Sequence, residues 1–557
     1  MAAALKTLIE SFYDKEKNVP NKPFLRQPFG DKWEVYTYGE VGQMARKLAT
    51  GLKSLGLPPK SHIGLVSKNC REWIIADLAI MMADYISVPF FPTLSGEQIA
   101  EVLKLGDVAA LFVGKLDVWD DMKTGVPADM PMIRFPHYKG GSKVEVGEDW
   151  NEFMNRFEPI EGEPSAKLDD LWTIIFTSGT TGTPKGVMLP YRAPSELMEA
   201  AKVRNVLKLD FNGDNDFFSY LPLNHIAERA IVEGGCLAFG GQISFSESLA
   251  TFAKNLQESY PTTFFAVPRI WTKFHLSILA KMPQKKLDLL LKIPIISGII
   301  KKKLKAGLGL SKARVCVSGA APIPQSLKDW YAKIGVPIAE GYGMTENCAA
   351  CTFLTTDENK PGSVGKPQDK VEVRIDPETE EVLMRAPYVM TGYYKSPDKT
   401  AETLENGWLH TGDQGRIDKD GYLYLTGRVK DTFKTAKGEF IVPAPIEWGF
   451  ENNSDIEQLC LLGLGLPQPV LLVVPSEIGV TKSRQELRRS LADTLIEVNK
   501  GLESYCRVST IVVVQDAFSV ENGMLTPTLK VKRSKLNQRY KDLLLAWHEH
   551  KEEVVWE

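Results

Sequence analysis

Apolar positions recur every three to four residues in stretches such as YGEVGQMARKLATGLKSLG (38–56), the spacing of one buried helical face. Short apolar runs stand between such stretches: HIGLVS (62–67), AALFVG (109–114) and RVCVSG (314–319). Runs of this length without alternation read as strands buried on both faces. Helix and strand in turn predict α/β layers with largely parallel sheets. The pattern changes from 406 onward, where GRIDKDGYLYLTGR (415–428) reads as a hairpin turning at Asp420 and Gly421. The chain beyond this hairpin is long enough for one small α+β domain. The expected architecture is a large N-terminal domain of several α/β subdomains (1–429) and a small, mobile C-terminal domain (430–557).

If Asp420 and Gly421 form a two-residue turn, Lys419 faces Tyr422, and counting outward sets Asp413 opposite Arg428. Facing residues project from the same side of a hairpin. The pair is then either a surface ion pair, worth under about 1 kcal/mol, or two groups able to bind a ribose diol.

Composition narrows the classes. At 557 residues, with 43% hydrophobic and 25% charged content, the chain is a multi-unit globular protein of enzyme size. A net charge of -3 gives no electrostatic reason to expect nucleic acid as a partner. Seven scattered cysteines behind a charged N-terminus (Lys6, Glu10) predict a reduced, cytoplasmic setting. Cys348 and Cys351 form a C-x-x-C, but no second pair stands at zinc-site spacing, so coincidence beside a binding loop is favoured over a metal or redox role. The uncharged run LCLLGLGLPQPVLLVV (459–474) is broken by Gly463, Gly465, Pro467 and Pro469 and reads as two buried strands around a turn. LDLLLKIPIISGIIKKKLK (287–305) is apolar and then strongly basic. It has the makings of a segment that rests on an anionic membrane surface, but so short an apolar part favours a core helix broken at Pro294 with a solvated lysine end.

Chemistry is concentrated in TSGTTGTPKG (177–186). A P-loop needs glycine before its lysine and Ser or Thr after it. Here Pro184 and Gly186 occupy those positions, so that reading fails. The stretch is instead a loop rich in backbone N–H and hydroxyl donors, entered from the apolar strand LWTIIF (171–176) and able to wrap a polyphosphate with Lys185 supplying charge. Three more segments carry reactive groups: LPLNHIAER (221–229) with His225, AEGYGMTEN (339–347) with Tyr342, Gly343, Thr345 and Glu346, and MLTPTLKVKRSKL (524–536) with Lys530. Singly they read as a core histidine, a glycine turn and a solvated helix start.

Together and in this order, these segments resemble the adenylate-forming enzymes: acyl-CoA synthetases, luciferases and peptide-synthetase adenylation domains. The resemblance covers nearly the whole chain, and YLPLNHIAER, SGAAP and LTPTLKVKR look most like the long-chain fatty acyl-CoA synthetase branch. It implies ATP, Mg²⁺ and coenzyme A as cofactors. A carboxylate attacks the α-phosphate of ATP to give acyl-AMP and pyrophosphate, and the CoA thiol then displaces AMP. Two anions about 4 Å apart repel by roughly 4 kcal/mol at an effective dielectric of 20, so cations and donors are required. By the same resemblance, Glu346 holds Mg²⁺ with Thr177 as second contact, and Thr177, Ser178, Gly179, Thr180, Thr181, Gly182 and Lys185 wrap the β- and γ-phosphates. Thr345 meets the α-phosphate. Tyr342 with Gly319, Ala320 and Ala321 flanks adenine, within a nucleotide-facing turn that includes Glu340, Gly341 and Gly343. Asp413 and Arg428 match the ribose contacts. Lys530 bridges carboxylate and α-phosphate in the transition state, and His225 stands beside the reacting carboxylate and the tunnel mouth. A hinge at Lys430 swings the C-terminal domain so that Gly438 comes near the pantetheine thiol.

The sequence departs from the family pattern in three places. Leu529 stands where glycine usually precedes the catalytic lysine, and Lys532 competes with Lys530, which the K-x-x-R spacing to Arg533 favours. One extra residue separates Arg428 from Gly438. Arg229, four after His225, replaces an aromatic gate found in some fatty-acid enzymes and leaves the acyl route open. Each buried methylene is worth about 0.8 kcal/mol. A deep apolar tunnel would therefore favour a long chain, and the long-chain resemblance of LPLNHIAER and VPRIWTKF (267–274) implies medium-to-long fatty acids over aryl or short ones. The expected partners are fatty acid and CoA, with peripheral contact at the inner face of a membrane and a homodimer as further expectations. Two rivals stand beside this reading. An acyl-AMP ligase would load a carrier protein, although the sequence ends 27 residues after Lys530 with no fused carrier domain. An inactive nucleotide- or acyl-binding homologue should have lost Glu346, Lys530 or the ribose pair.

Overall fold

The computed structural model describes residues 5–178, 184–358, 360–519, 522–526 and 530–557. The chain divides into two compact units: Met1–Gly179 with Pro184–Val373 and Met384–Leu409, and Thr180–Thr183 with Arg374–Leu383 and His410–Glu557.

The first unit holds an eight-stranded and a nine-stranded sheet, both largely parallel. The expected strands appear as His62–Val66, Val108–Val113 and Val315–Ser318, with Ile63, Leu65 and Val66 fully buried. The helix read from 38–56 spans Tyr38–Ser54. Thr37 and Glu40 close its first turn as a capping box, satisfying two N–H groups the helix leaves orphaned. Val41, Leu48 and Leu52 line its buried face, and burying each is worth roughly 1.5–3 kcal/mol.

The second unit contains a four-stranded sheet in the order Ile456–Leu462, Val470–Pro475, Thr510–Val513 and Val554–Trp556. Ile456–Leu462 and Val470–Pro475 are the strand pair expected at 459–474. Alternation along them places Leu462 and Leu472 against the helix Arg533–Glu549, and Leu461 and Leu471 against Arg484–Lys500, so the sheet is covered on both faces.

Two expectations are corrected. The hairpin turns over three residues, not two: Asp418 N–H donates to the Tyr422 carbonyl, Ile417 faces Leu423, and Gly421 takes the left-handed conformation (φ +83°) that ends such a loop. This shifts the register by one near the turn. A bulge between Gln414 and Gly415 shifts it back, leaving Thr426 as the extra residue, and Asp413 again faces Arg428. The second correction concerns 287–305. The helix does break at Pro294, into Gln284–Leu291 and Pro294–Gly307, but no residue of the latter is buried. Ile300 and Leu304 lean on the core while the rest of the helix lies on the surface. Among the described residues no helix is long and apolar enough to cross a membrane.

Candidate active site

In the nine-stranded sheet Asp216–Ser219, Val315–Ser318 and Ile338–Tyr342 run parallel. The segment 221–229, Gly319 to Ala321, and Gly343 to Glu346 each come directly after one of these strands. Three motifs distant in sequence therefore emerge at the same carboxyl edge, where open α/β sheets bind ligands. The chain is tight there. A Cβ on Gly319 would stand 2.9 Å from the Gly341 carbonyl oxygen, and one on Gly343 would stand 2.3 Å from the Ala349 backbone. Ala320 holds φ +65°, an uncommon conformation for a residue with a side chain. The Glu340 carboxylate is taken by Lys328 at 2.6 Å, so its side chain is committed to the protein. Burial pushes the Glu340 carboxyl upward and Lys328 pulls it back.

Thr345–Asn347 forms a single 3₁₀ turn, held by Met344 N–H donating to Asn347 Oδ1 at 2.9 Å. Glu346 is buried, and the Tyr393 hydroxyl donates to its Oε1 at 2.7 Å. Tyr393 pairs with Val187 on the strand Pro184–Pro190, and the Lys185 ammonium stands over its ring, 4.8 Å from the centroid. Lys185 faces Thr177 in register, and Thr177 Oγ1 lies 3.5 Å from the Lys185 carbonyl oxygen. The structure thus gathers Lys185 and Glu346 around Tyr393, with Thr177 paired to Lys185 across the strands, and Tyr393 is a residue the sequence motifs do not single out. Its one local signal is the aromatic pair in TGYYKS (391–396). Burial above all, and the Glu346 charge after it, raise the phenol's pKa and keep it a donor. Ser178 pairs with Pro184 by its backbone. The Ser178 side chain and the expected phosphate contacts Gly179, Thr180, Thr181 and Gly182 lie outside the described residues.

His225 is half-buried and caps the short helix Ile226–Glu228, its Nδ1 accepting from Ala227 N–H at 3.3 Å. A π-helical turn, Arg229–Gly234, comes immediately after it; such turns interrupt helices frequently at functional sites. Arg229 is fully buried. It donates to Asp77 Oδ2 (2.5 Å), Glu233 Oε2 (3.0 Å) and Thr173 Oγ1 (2.7 Å), and stacks on Trp172 at 4.1 Å. It is a fixed strut with no swinging freedom. Beside it Glu228 is buried, accepts from Tyr220 N–H at 3.0 Å, and is pushed up to about 8 by burial.

In the second unit, Arg428 Nε donates to Asp413 Oδ1 at 2.9 Å, with Asp413 buried and Arg428 half-exposed. Gly438 sits in a turn at φ +85°, its N–H donating to the Thr435 carbonyl at 3.0 Å. Lys530 is exposed, and its backbone is held to Thr526 by two hydrogen bonds, of 2.8 and 3.1 Å. Lys532 is partly buried, and burial first, then Lys535, lowers its ammonium pKa. Arg533 is anchored by Glu447 at 2.9 Å and by the Leu461 carbonyl. Cys348 and Cys351 are buried, and among the described residues no cluster of His, Cys, Asp or Glu would hold a metal ion by itself.

Known proteins share both the sequence and the fold. A family model described as AMP-binding enzyme matches residues 12–394, and one described as AMP-binding enzyme C-terminal domain matches 430–552. The chain is 31% identical to long-chain-fatty-acid--CoA ligase 5 of Rattus norvegicus over 98% of its own length and 89% of the relative's. It is 28% identical to fatty acyl-CoA synthetase B of Dictyostelium discoideum, over 92% and 84%. Among solved structures it resembles the anthranilate CoA ligase AuaEII in complex with anthranoyl-AMP (TM-score 0.76, 21% identity, 96% of this chain and 98% of that one). It also resembles the o-succinylbenzoate CoA synthetase of Bacillus subtilis in complex with ATP and magnesium (TM-score 0.72, 21% identity, 95% and 99%). At that identity the likeness is one of fold.

Proposed function

Since the chain belongs to the AMP-binding enzyme family, we propose that it activates a medium-to-long-chain fatty acid with ATP, first to acyl-AMP and then to acyl-CoA, releasing pyrophosphate and AMP. The observation that carries the reading is the grouping of Lys185 and Glu346 around Tyr393, with Thr177 paired to Lys185 on the neighbouring strand. A lysine and a buried carboxylate side by side suit a polyphosphate that arrives with its cation. Mg²⁺ keeps most of its water and needs only one or two protein carboxylates, so the buried Glu346 fits the ion without a dedicated cage, and Thr177 would be its second contact. When bound there, Mg²⁺ would offset the charge of the phosphate oxygens.

The protein's own residues do the remaining work in this proposal. Lys185 and the loop donors hold the β- and γ-phosphates and let pyrophosphate leave. Thr345 donates to the α-phosphate. Tyr342 and the backbone of Gly319 to Ala321 enclose the base, and Gly343 lets the chain pass close. Asp413 accepts from the ribose hydroxyls while Arg428 fixes the carboxylate that does so. Lys530 sets its ammonium between the attacking carboxylate and the α-phosphate, where negative charge gathers as the new P–O bond forms. His225 orients the acid. For the second half-reaction we place the division at 1–429 and 430–557 and the hinge at Lys430, so that Lys530 withdraws and Gly438 borders the CoA thiol. Since a long-chain acid dissolves in bilayers, we extend the reading to peripheral contact with a membrane leaflet.

The test is AMP release by the purified protein with ATP and Mg²⁺, across saturated acids from acetate to stearate and benzoate, with and without CoA. AMP formed catalytically only with CoA, peaking at long chains, supports the proposal. Release of ADP overturns it, and indifference to CoA removes its thioester half.

A further inference from the structure

The helix Pro294–Gly307 is about 21 Å long at 1.5 Å per residue, yet it buries none of its side chains. Its orientation is nonetheless fixed. Ile300 and Leu304 touch the core, together with Leu291 from the preceding helix. Ile295 and Ile299, one turn apart, therefore face away, 81% and 51% exposed, and Leu289 and Ile293 continue the apolar surface at 63% and 43%. Residues 281–305 carry eight lysines against one acidic residue, Asp288, in a chain whose net charge is -3. An apolar ridge with a strongly basic border thus stands exposed on a mildly acidic protein.

We propose that the helix pair Gln284–Leu291 and Pro294–Gly307 is the surface by which this protein docks on an anionic lipid bilayer. Composition separates this occupant from a protein partner. Protein interfaces are enriched in aromatic residues and arginine and depleted in lysine, whereas 281–307 contains no arginine and no aromatic residue. Lysines suit a leaflet instead: their stems lie along apolar surface while the ammonium groups reach the headgroups, and a negative surface potential attracts them collectively. Ile295 and Ile299 enter the acyl boundary, and Lys302 and Lys303 on the next turn meet phosphates. The helix lies in the interface plane, as amphipathic surface helices do, and crosses nothing.

The choice of lipid draws on the fatty-acid reading, because a surface that holds the enzyme where its substrate dissolves has a use. The two are tested apart by measuring vesicle binding without ATP or acid, and turnover with a soluble medium-chain acid without vesicles. The full-length protein is floated with phosphatidylcholine vesicles and with vesicles containing about 30% phosphatidylserine, an anionic leaflet of the kind that attracts basic segments. Expected is flotation with the anionic vesicles alone, weakened as salt rises from about 0.1 to 1 M and the Debye length falls from about 10 to 3 Å. The variants I295S/I299S and K302E/K303E should each lose at least tenfold in bound fraction, with turnover of the soluble acid and melting temperature unchanged, since the side chains are exposed. Binding that survives both variants overturns the proposal. So does failure of the wild type to float with either vesicle. Self-association without lipid that I295S/I299S abolishes would assign the ridge to a second copy of the chain and overturn it equally.

Discussion

Asp413 and Arg428 meet at 2.9 Å across a hairpin whose turn is one residue longer than simple register supposes. The extra turn residue and the bulge at Thr426 cancel, so the pair faces one way while the strand twists more strongly between it and the turn. Asp413 is buried and Arg428 half-exposed, so the ion pair contributes under about 1 kcal/mol to stability. Its worth lies in presenting an oriented acceptor. Replacing Arg428 by alanine should leave the melting temperature nearly unchanged and raise the KM for ATP about ten- to hundredfold, one charge-assisted hydrogen bond of roughly 1.5–3 kcal/mol. An unchanged KM would make the pair a surface salt bridge only.

Tyr393→Phe removes the hydroxyl that donates to Glu346 and keeps the ring beneath Lys185. Partners that orient a metal-binding carboxylate typically control affinity by 10- to 100-fold. We expect the Mg²⁺ concentration for half-maximal activity at fixed ATP to rise about tenfold, with activity regained at high Mg²⁺. Equal loss at every Mg²⁺ concentration would place Tyr393 in packing alone.

Arg229 lies between two buried carboxylates, and removing it strands both. Arg229→Met should destabilise the protein by about 3–5 kcal/mol in urea unfolding, as breaking a buried ion pair does. Adding Asp77→Asn and Glu233→Gln should recover most of that loss, because the neutral triad leaves no unpaired charge. If the triple variant is no better than the single one, the stacking of the guanidinium on Trp172 carries the stability instead.

Glu228 binds a proton more tightly in the fold than in the unfolded chain, about 8 against its ordinary 4.5, because burial disfavours the carboxylate. The folded state therefore holds more protons between those values, and stability falls as pH rises. The contribution is complete below 4.5 and lost as pH passes through about 8. Burial and Asp77 push Glu233 upward as well, with Arg229 drawing it back, so its contribution has the same sign. Glu228→Gln keeps an acceptor for Tyr220 N–H and should flatten, without abolishing, the decline of the urea midpoint across that window. A variant that tracks the wild type at every pH would mean that Glu228 is ionised throughout.

Features that depend on near neighbours are legible in the sequence. The strand at 171–176 and the helix at 38–56 declare themselves because burial on two faces leaves an unbroken apolar run and burial on one leaves a period in the residues. Tyr393 leaves none: its partner Glu346 stands 47 residues away and Lys185 lies on another strand, so nothing local distinguishes it from a packed aromatic. The segment 294–307 shows the converse. Its apolar period is plain, but periodicity states only that a face exists, and the core touches the Ile300 and Leu304 side while Ile295 faces solvent. A two-residue turn predicts the Asp413–Arg428 pairing although the real turn has three, and the pairing holds because the bulge compensates.

Lys530 and Lys532 are separable by chemistry, and the anchoring of Arg533 says how. With Arg533 bound to Glu447 and the Leu461 carbonyl, the residue beside it, Lys532, is drawn partly into the protein and its charge is disfavoured, while Lys530 stays exposed. A cation that must reach a developing negative charge and later withdraw needs the exposed position. Lys530→Ala should lower acyl-AMP formation by about 10²–10³, the scale of losing one preorganised electrostatic contact, while thioester formation from supplied acyl-AMP is largely spared. Lys532→Ala should leave both half-reactions within the same order of magnitude as the wild type. The opposite ranking would transfer the role to Lys532, and equal loss of both half-reactions in Lys530→Ala would refute a role confined to adenylation.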